Sequence, residues 1–325
     1  MRRMLMTMII VTILGLVRPI QAAELSIYEI QYTTDANGIS PQNGNIVDCL
    51  GGIVTHKHLG GRPRLIIQDP NYPDGWGAVQ VKGWASDAFD NSAIGDWVSL
   101  TNVKVDDYKG TTFLQYKSEY NPNFTIVSTN NPLPRPLIVP IDEIAAPVEG
   151  VDAWIVADCN AEKYEAMLIK IIDVYVQDTG YGKAYDNYLL AGNVDPNLTC
   201  WASDYINADK DKGLIYHPYI EIGRNFCGVT GVLEQYTSEQ EGIYYDYYQL
   251  LTTSIDSFTI DQTSDFDGDC DVDFADFSIF AEHWLQTECN EPDWCSGTDL
   301  TKDLPNGIVD IFDLLKFSQH WLEGK

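Results

Sequence analysis

The chain has 325 residues, with 48 Asp or Glu against 20 Lys or Arg and a formal net charge of −28. That length allows two ordinary domains with residues to spare. So large an acid surplus argues against nucleic acid as a partner, because neutralising phosphates takes a basic groove.

Arg2 and Arg3 precede an apolar run from Met4 to Val17, and Ile20-Gln21-Ala22-Ala23 offers small residues for cleavage. This pattern predicts a signal peptide over residues 1–23, processed after Ala22 or Ala23, and a mature protein that is secreted, extracellular or cell-surface associated. The run is too short to span a bilayer comfortably, and no later segment is a better candidate, so no membrane span is expected.

Residues 24–258 read as β structure, rich in Val, Ile, Tyr and Thr between Gly, Asn, Asp and Pro turns. Leu65 to Pro70 ends a strand at a turn, and Trp76 to Val81 alternates as its partner. Gly95 to Leu100 opens a further strand, continued by Val103, Val105 and Tyr108 to the Lys109-Gly110 turn, after which Phe113-Leu114 resumes. Short strands at this pitch suit a five-stranded barrel.

A second copy follows in the same order. Gln68-Asp69 is echoed by Gln177-Asp178, and Trp84-Ala85-Ser86-Asp87 by Trp201-Ala202-Ser203-Asp204. Ile94-Gly95 with Tyr108 is matched by Ile222-Gly223 with Tyr236. The Pro132 to Pro140 stretch divides the copies and should be extended and stiff. The expected domains are 24–135 and 136–258, with a C-terminal unit over 259–325. Leu65 to Pro70, Gly95 to Val98 with Tyr108-Lys109-Gly110, and Gly228 to Val232 resemble the OB-fold domains that accompany secreted bacterial nucleases and phosphoesterases.

The second copy holds 20 acids against 6 bases, the first 12 against 8. In the first, Lys57, Arg62, Arg64 and Lys82 are the basic residues available to a phosphate. Tyr72, Trp76, Trp97 and Tyr120 could stack on bases or sugar rings, although barrel packing explains them more simply. Tyr244, Tyr245, Tyr247 and Tyr248 alternate faces, and part of that cluster is a candidate ligand surface. His56 and His58 would share a strand face but lack a third metal ligand. No nucleophile elbow, phosphate loop or zinc-protease helix occurs, so no catalytic residue is assigned.

The C-terminal unit carries the most specific pattern. Asp265, Asp267, Asp269, Asp273 and Asp276 fall at positions 1, 3, 5, 9 and 12 of an EF-hand-type loop, with the Asp271 carbonyl at position 7. Crowded this way, six carboxylates repel by on the order of several kcal/mol unless a cation lies among them. Phe277, Phe280, Ala281, Trp284 and Leu285 then keep the spacing of one buried helical face. The unit repeats after 37 residues: Asp310 and Asp313 match Asp273 and Asp276, and His320-Trp321-Leu322 matches His283-Trp284-Leu285. Asp299, Thr301 and Asp303 take positions 1, 3 and 5, before a three-residue insertion at Leu304-Pro305-Asn306. Two such loop–helix units should pack on one another.

Residues 265–324 resemble a type I dockerin, a bacterial module of two calcium-loop–helix repeats that docks onto cohesin domains. The resemblance implies calcium as cofactor, a cohesin-like partner, and partner contacts at loop positions 10 and 11, here Phe274-Ala275 and Ile311-Phe312. It also places Cys270 where the family has a glycine, in a left-handed turn. The second loop, with Thr301 for an acid and the insertion, should bind weakly or be rearranged.

Seven cysteines in an oxidising compartment favour disulfides, the odd count leaving one thiol over or an intermolecular bond. Cys200 and Cys227 are a candidate pair, and one local bridge is expected among Cys270, Cys289 and Cys295. The fold class expected is therefore mostly β with a small α C-terminal domain: two tandem OB-like β-barrels and a dockerin-type pair of repeats. The leading functional expectation is a secreted, non-catalytic adaptor. Alternatives are a polysaccharide- or single-stranded nucleic-acid-binding module, and a phosphodiester hydrolase with an unrecognised site.

Overall fold

The structure is a computed structural model that describes residues 23–35, 38–58, 64–83, 89, 91–108, 110–144, 159–181, 187–203, 220–240, 243–252, 257–259, 263–290, 292–302 and 307–322. The protein is mostly β with few helices. The leader segment expected over residues 1–23 lies outside the described residues except for Ala23, which begins a strand. No helix among the described residues is long and apolar enough to cross a membrane.

The first sheet contains β1 (Ala23–Leu25), β2 (Ile46–His58), β3 (Arg64–Gln68), β4 (Ala78–Gly83), β5 (Trp97–Tyr108), β6 (Thr111–Tyr116) and β7 (Asn123–Ser128). Five of them close in the order β2-β3-β4-β6-β5 and back to β2, with β4 and β6 parallel. The second sheet contains β8 (Leu137–Ile138), β9 (Leu168–Tyr181), β10 (Asn187–Gly192), β11 (Thr199–Ser203), β12 (Asn225–Gln240), β13 (Ile243–Leu251) and β14 (Phe258–Thr259). It closes in the same order, β9-β10-β11-β13-β12 and back to β9, with β11 and β13 parallel. Both are closed five-stranded, OB-like barrels.

The duplication reaches the level of single bonds. Val54 and the segment before β5 exchange two bonds, Gly95 N–H to Val54 O at 2.9 Å and Val54 N–H to Asp96 O at 2.8 Å. Val176 does the same with Gly223 at 2.8 Å and Arg224 at 2.9 Å. Both glycines need their freedom, with φ of 89° and 85°. Thus the Ile-Gly echo marks equivalent sites. The Gln68-Asp69 echo does not: Gln68 ends the second barrel strand, whereas Gln177 follows Val176 in the first. A dipeptide carries too little pattern to fix register.

Barrel closure shows in the periodicity. Along β5 the inward residues are Val98 and Leu100, then Val103 and Val105; the step at Asn102 coincides with its φ of 54°. Along β9 they are Ile169 and Ile171, then Val174 and Val176, with Asp173 also at 54°. Each is an extra residue that bends a long strand. The expected strand at Trp76 starts only at Ala78, because Trp76 itself has φ 61°.

The barrels share apolar and polar ground. Ile66 and Ala78 of the first barrel belong to the core of the second. Glu234 of β12 accepts from Arg64 at 3.0 Å, Gln80 at 3.2 Å and Gln249 at 2.9 Å. Buried Glu165 accepts from Gln31 at 3.2 Å and from the Thr112 amide at 3.0 Å. Gln31 ends α1 (Ile27–Gln31), which Ser26 caps. The proline stretch between the barrels is not wholly a spacer, since β8 pairs with β9 at Ile169 and Lys170.

The C-terminal module consists of two loops and two nine-residue helices, α2 (Phe274–Glu282) and α3 (Ile311–Gln319). Its centre is a ring stack of Phe280 on Phe317, at 5.5 Å between centroids, with Phe266 alongside. The repeats close each other: Leu285 N–H bonds Val309 O, and Leu322 N–H bonds Val272 O, both at 2.9 Å. The expected buried face of α2 is corrected here. Phe280 is buried, but Phe277, Ala281, Trp284 and Leu285 are exposed. Each short helix inserts one ring into the small core, and the chain turns away after Glu282.

Candidate functional site

Asp273 and Asp310 cap α2 and α3 through capping boxes completed by Asp276 and Asp313. Helix N-termini with free N–H groups favour such carboxylates. Asp276 then folds its own loop back on itself. Its Oδ1 accepts from Phe266 N–H at 2.6 Å and its Oδ2 from Asp273 N–H at 2.7 Å. Asp313 repeats this with Thr301 N–H at 2.7 Å and Asp310 N–H at 2.8 Å.

Within the first loop, Asp265 accepts from Gly268 N–H at 2.8 Å and Cys270 N–H at 2.9 Å. These turns draw the carboxylates together. One oxygen each from Asp265, Asp267 and Asp269 lie within 4.8 Å of one another, and so do those of Asp271, Asp273 and Asp276. Burial, with repulsion from Asp269, Asp276 and Asp265, pushes the Asp267 carboxyl up to about 6. Burial also raises Asp265. An acid held above its usual range marks a place where added positive charge is favourable.

Part of that charge comes from the segment joining the barrels and from the second barrel. Arg135 Nη2 lies 3.2 Å from Asp269 Oδ2, 2.8 Å from Asp271 Oδ2 and 3.2 Å from Asp273 Oδ2. Lys170 of β9 donates to the carbonyls of Asp269 at 3.4 Å and Cys270 at 3.3 Å. Asp271 is only 5% exposed, and its Oδ1 has no hydrogen-bond partner. The residues thus fit a divalent cation: carboxylates crowded in one loop, one buried oxygen unspent, and a guanidinium standing in as a cation on three of them.

The local bridge expected among Cys270, Cys289 and Cys295 is present as Cys289–Cys295, whereas the candidate pair Cys200 and Cys227 does not form. Cys227 of β12 is bonded to Cys270, and Cys289 to Cys295, while Cys200 is free and buried. Cys200 lies on β11 inside the second core, where burial lifts its thiol to about 12, as it does that of Cys49. Cys270 has φ 66°, the left-handed turn expected at that loop position. Room for the loop comes from Gly228, where a Cβ would lie 3.1 Å from Lys170 and 3.3 Å from the Cys270 Cβ.

In the second loop, Asp299 and Asp313 are buried and Thr301 Oγ1 bonds Asp313 at 2.9 Å. Asp303 lies outside the described residues. Among the described residues the acidic groups that could share an ion all include first-loop residues. The position-10 and -11 residues stand clear of the core: Phe274 is 74% exposed, Ile311 59% and Phe312 60%, with Ala275 also exposed.

Tyr248 does not belong to a ligand surface. It is buried, and its hydroxyl donates to Glu162 Oε2 at 2.7 Å. The side chains of Tyr244, Tyr245 and Tyr247 lie outside the described residues. Tyr72 stacks on Tyr28 at 4.9 Å, and Trp76 meets Tyr32 edge-on at 5.6 Å. Trp97 reaches the Leu50 carbonyl at 3.4 Å. Arg64 pairs with Glu234, Lys57 donates to Ser92 O at 2.7 Å, and Lys82 sits over the Phe113 ring at 4.1 Å.

No family model matches the chain. No curated protein matches it either. Solved structures similar to it include Schizosaccharomyces pombe Pot1pC bound to single-stranded DNA, at 12% identity and TM-score 0.23, covering 28% of this chain and 84% of that one. A murine DNA-binding protein bound with double-stranded DNA is 8% identical at TM-score 0.31, covering 64% and 99%. The Ifi202 HINa domain with 20-bp double-stranded DNA is 9% identical at TM-score 0.30, covering 63% and 91%. The charge-based expectation against nucleic acid is corrected on this point. Chains similar to this one were solved with DNA bound, and a whole-chain charge is a sum that does not report the potential of one face. Likenesses at this level carry no argument for what this chain itself binds.

Proposed function

We propose that this chain is an exported binding protein in which two OB-like barrels carry a dockerin-type C-terminal module. The module holds calcium in its first loop and docks onto a cohesin-like domain of another protein. The observation that carries the reading is the gathering of the first-loop carboxylates, with Asp265, Asp267 and Asp269 within 4.8 Å and a guanidinium already drawn onto Asp269 and Asp273. Asp265, Asp267, Asp269, Asp273 and Asp276 would hold the ion with side-chain oxygens, and Asp271 with its carbonyl. Bound calcium supplies the positive charge that this loop otherwise borrows. The duplicated Asp276 and Asp313 arrangements support two loop–helix repeats rather than an acidic linker. Exposed Phe274, Ile311, Phe312 and Leu315 support a partner surface at the helix N-termini. Two disulfides support an oxidising compartment.

The test is binding of the immobilised full chain to a panel of cohesin domains, in calcium and in chelator. Calcium-dependent capture, lost in Phe274→Ser with Phe312→Ser, is the expected result. Absence of cohesin binding, with capture instead of polysaccharide or oligonucleotide in the same format, would move the function to the barrels.

A further inference from the structure

We infer that Arg135 is a built-in competitor for the cation at the first acidic loop, so that cation uptake is coupled to release of the segment joining the two barrels. The inference rests on the calcium reading and goes beyond it, since Arg135 belongs to neither loop nor helix of the module. It lies between β7 and β8, in the run Pro132-Leu133-Pro134-Arg135-Pro136.

One nitrogen, Nη2, takes an oxygen from each of Asp269, Asp271 and Asp273, at 3.2, 2.8 and 3.2 Å. Two of these three carboxylates are also the position-5 and position-9 candidates for the ion. A divalent cation on the same oxygens would bring two positive centres within a few ångströms of each other, and one must give way.

Among the described residues, the disulfide from β12, Lys170 of β9 and Arg135 of the joining segment hold the loop, and they differ in freedom. The Cys227–Cys270 bond is covalent and fixes the loop in place. Lys170 is buried in β9 and directed at backbone carbonyls, which a cation at the carboxylates leaves in place. Arg135 is different, because its side chain is 62% exposed and its contacts are all to carboxylate oxygens. Solvent access makes it the exchangeable member of the set. Its departure would free the segment leading into β8, which pairs with β9 one residue before and at Lys170.

The experiment is calorimetric titration of calcium into the chelator-treated full chain and into Arg135→Gln, with both disulfides verified by mass. Arg135→Gln is expected to bind about tenfold more tightly, the scale of one lost charge-assisted competitor, and Arg135→Lys to stay near wild type. In a chain labelled with ¹⁵N-arginine, the Arg135 side-chain Nε–Hε signal should move to its free position over the same equivalents of calcium. Equal affinities in wild type and Arg135→Gln would overturn the inference while leaving the calcium reading standing. No calcium binding by either chain would overturn both.

Discussion

Cys227, on the fourth strand of the second barrel, is bonded to Cys270 at the left-handed turn of the acidic loop. The C-terminal module is therefore fastened to a barrel at its own cation-site candidate. A tether alone would let the module swing; a bond within the loop makes loop geometry and barrel geometry one problem.

Removing that bond should uncouple the two. Cys227→Ser with Cys270→Ser is expected to lower stability by about 2–4 kcal/mol. Scanning calorimetry should then resolve a separate, earlier module transition. An unchanged single transition would mean that the bond contributes nothing to the coupling.

The exposed and buried rings of the module should behave oppositely on truncation. Phe280→Ala removes a fully buried ring stacked on Phe317 and is expected to cost about 3–5 kcal/mol. Phe312→Ala, at an exposed position, should change stability by less than about 0.5 kcal/mol while weakening partner capture. Chemical denaturation followed by Trp fluorescence reads the first, and surface binding to a cohesin panel reads the second.

The junction between the barrels should weaken toward alkaline pH. Burial, then repulsion from Glu162, raises the Glu165 carboxyl well above its usual range, so the folded junction favours the protonated form. Its stabilising contribution is full below the unfolded carboxylate value, about pH 4, and is lost as pH rises through the raised folded value. Glu165→Gln keeps an oxygen acceptor for Gln31 and Thr112 without the charge. It should flatten the decline and melt higher than wild type at about pH 8; parallel melting curves across pH would contradict this role.

Gly51 offers a test of barrel closure. Its φ is 89°, and a Cβ there would lie 1.6 Å from the Val98 carbonyl oxygen on the neighbouring strand. Gly51→Ala should cost well over about 2 kcal/mol, since backbone strain and overlap act together. Soluble expression with a wild-type melting temperature would show that the strands can part there.

Much of this fold was legible in the residues. The Ile-Gly echo marked structurally equivalent sites because each glycine sits at a left-handed corner that few residues tolerate. The repeat of Asp310 and Asp313 on Asp273 and Asp276 marked two equivalent helix starts, and the structure adds that Asp273 and Asp310 cap them. What sequence missed was long range. Arg135, Lys170 and Cys227 meet the loop from positions 38 or more residues away, and no local pattern carries that. An odd cysteine count and a rare base in an acidic region were the available signals. The exposed side of α2 was missed for another reason: helical spacing assumes a core broad enough to cover a whole face, and this module buries one ring per helix.

Cation binding by the first loop is tested most directly by calorimetric titration of calcium into the metal-stripped full chain. The expected result is a saturable site that raises the module's melting temperature and disappears in Asp265→Asn with Asp267→Asn. No heat of binding and an unchanged melting curve in wild type would contradict it.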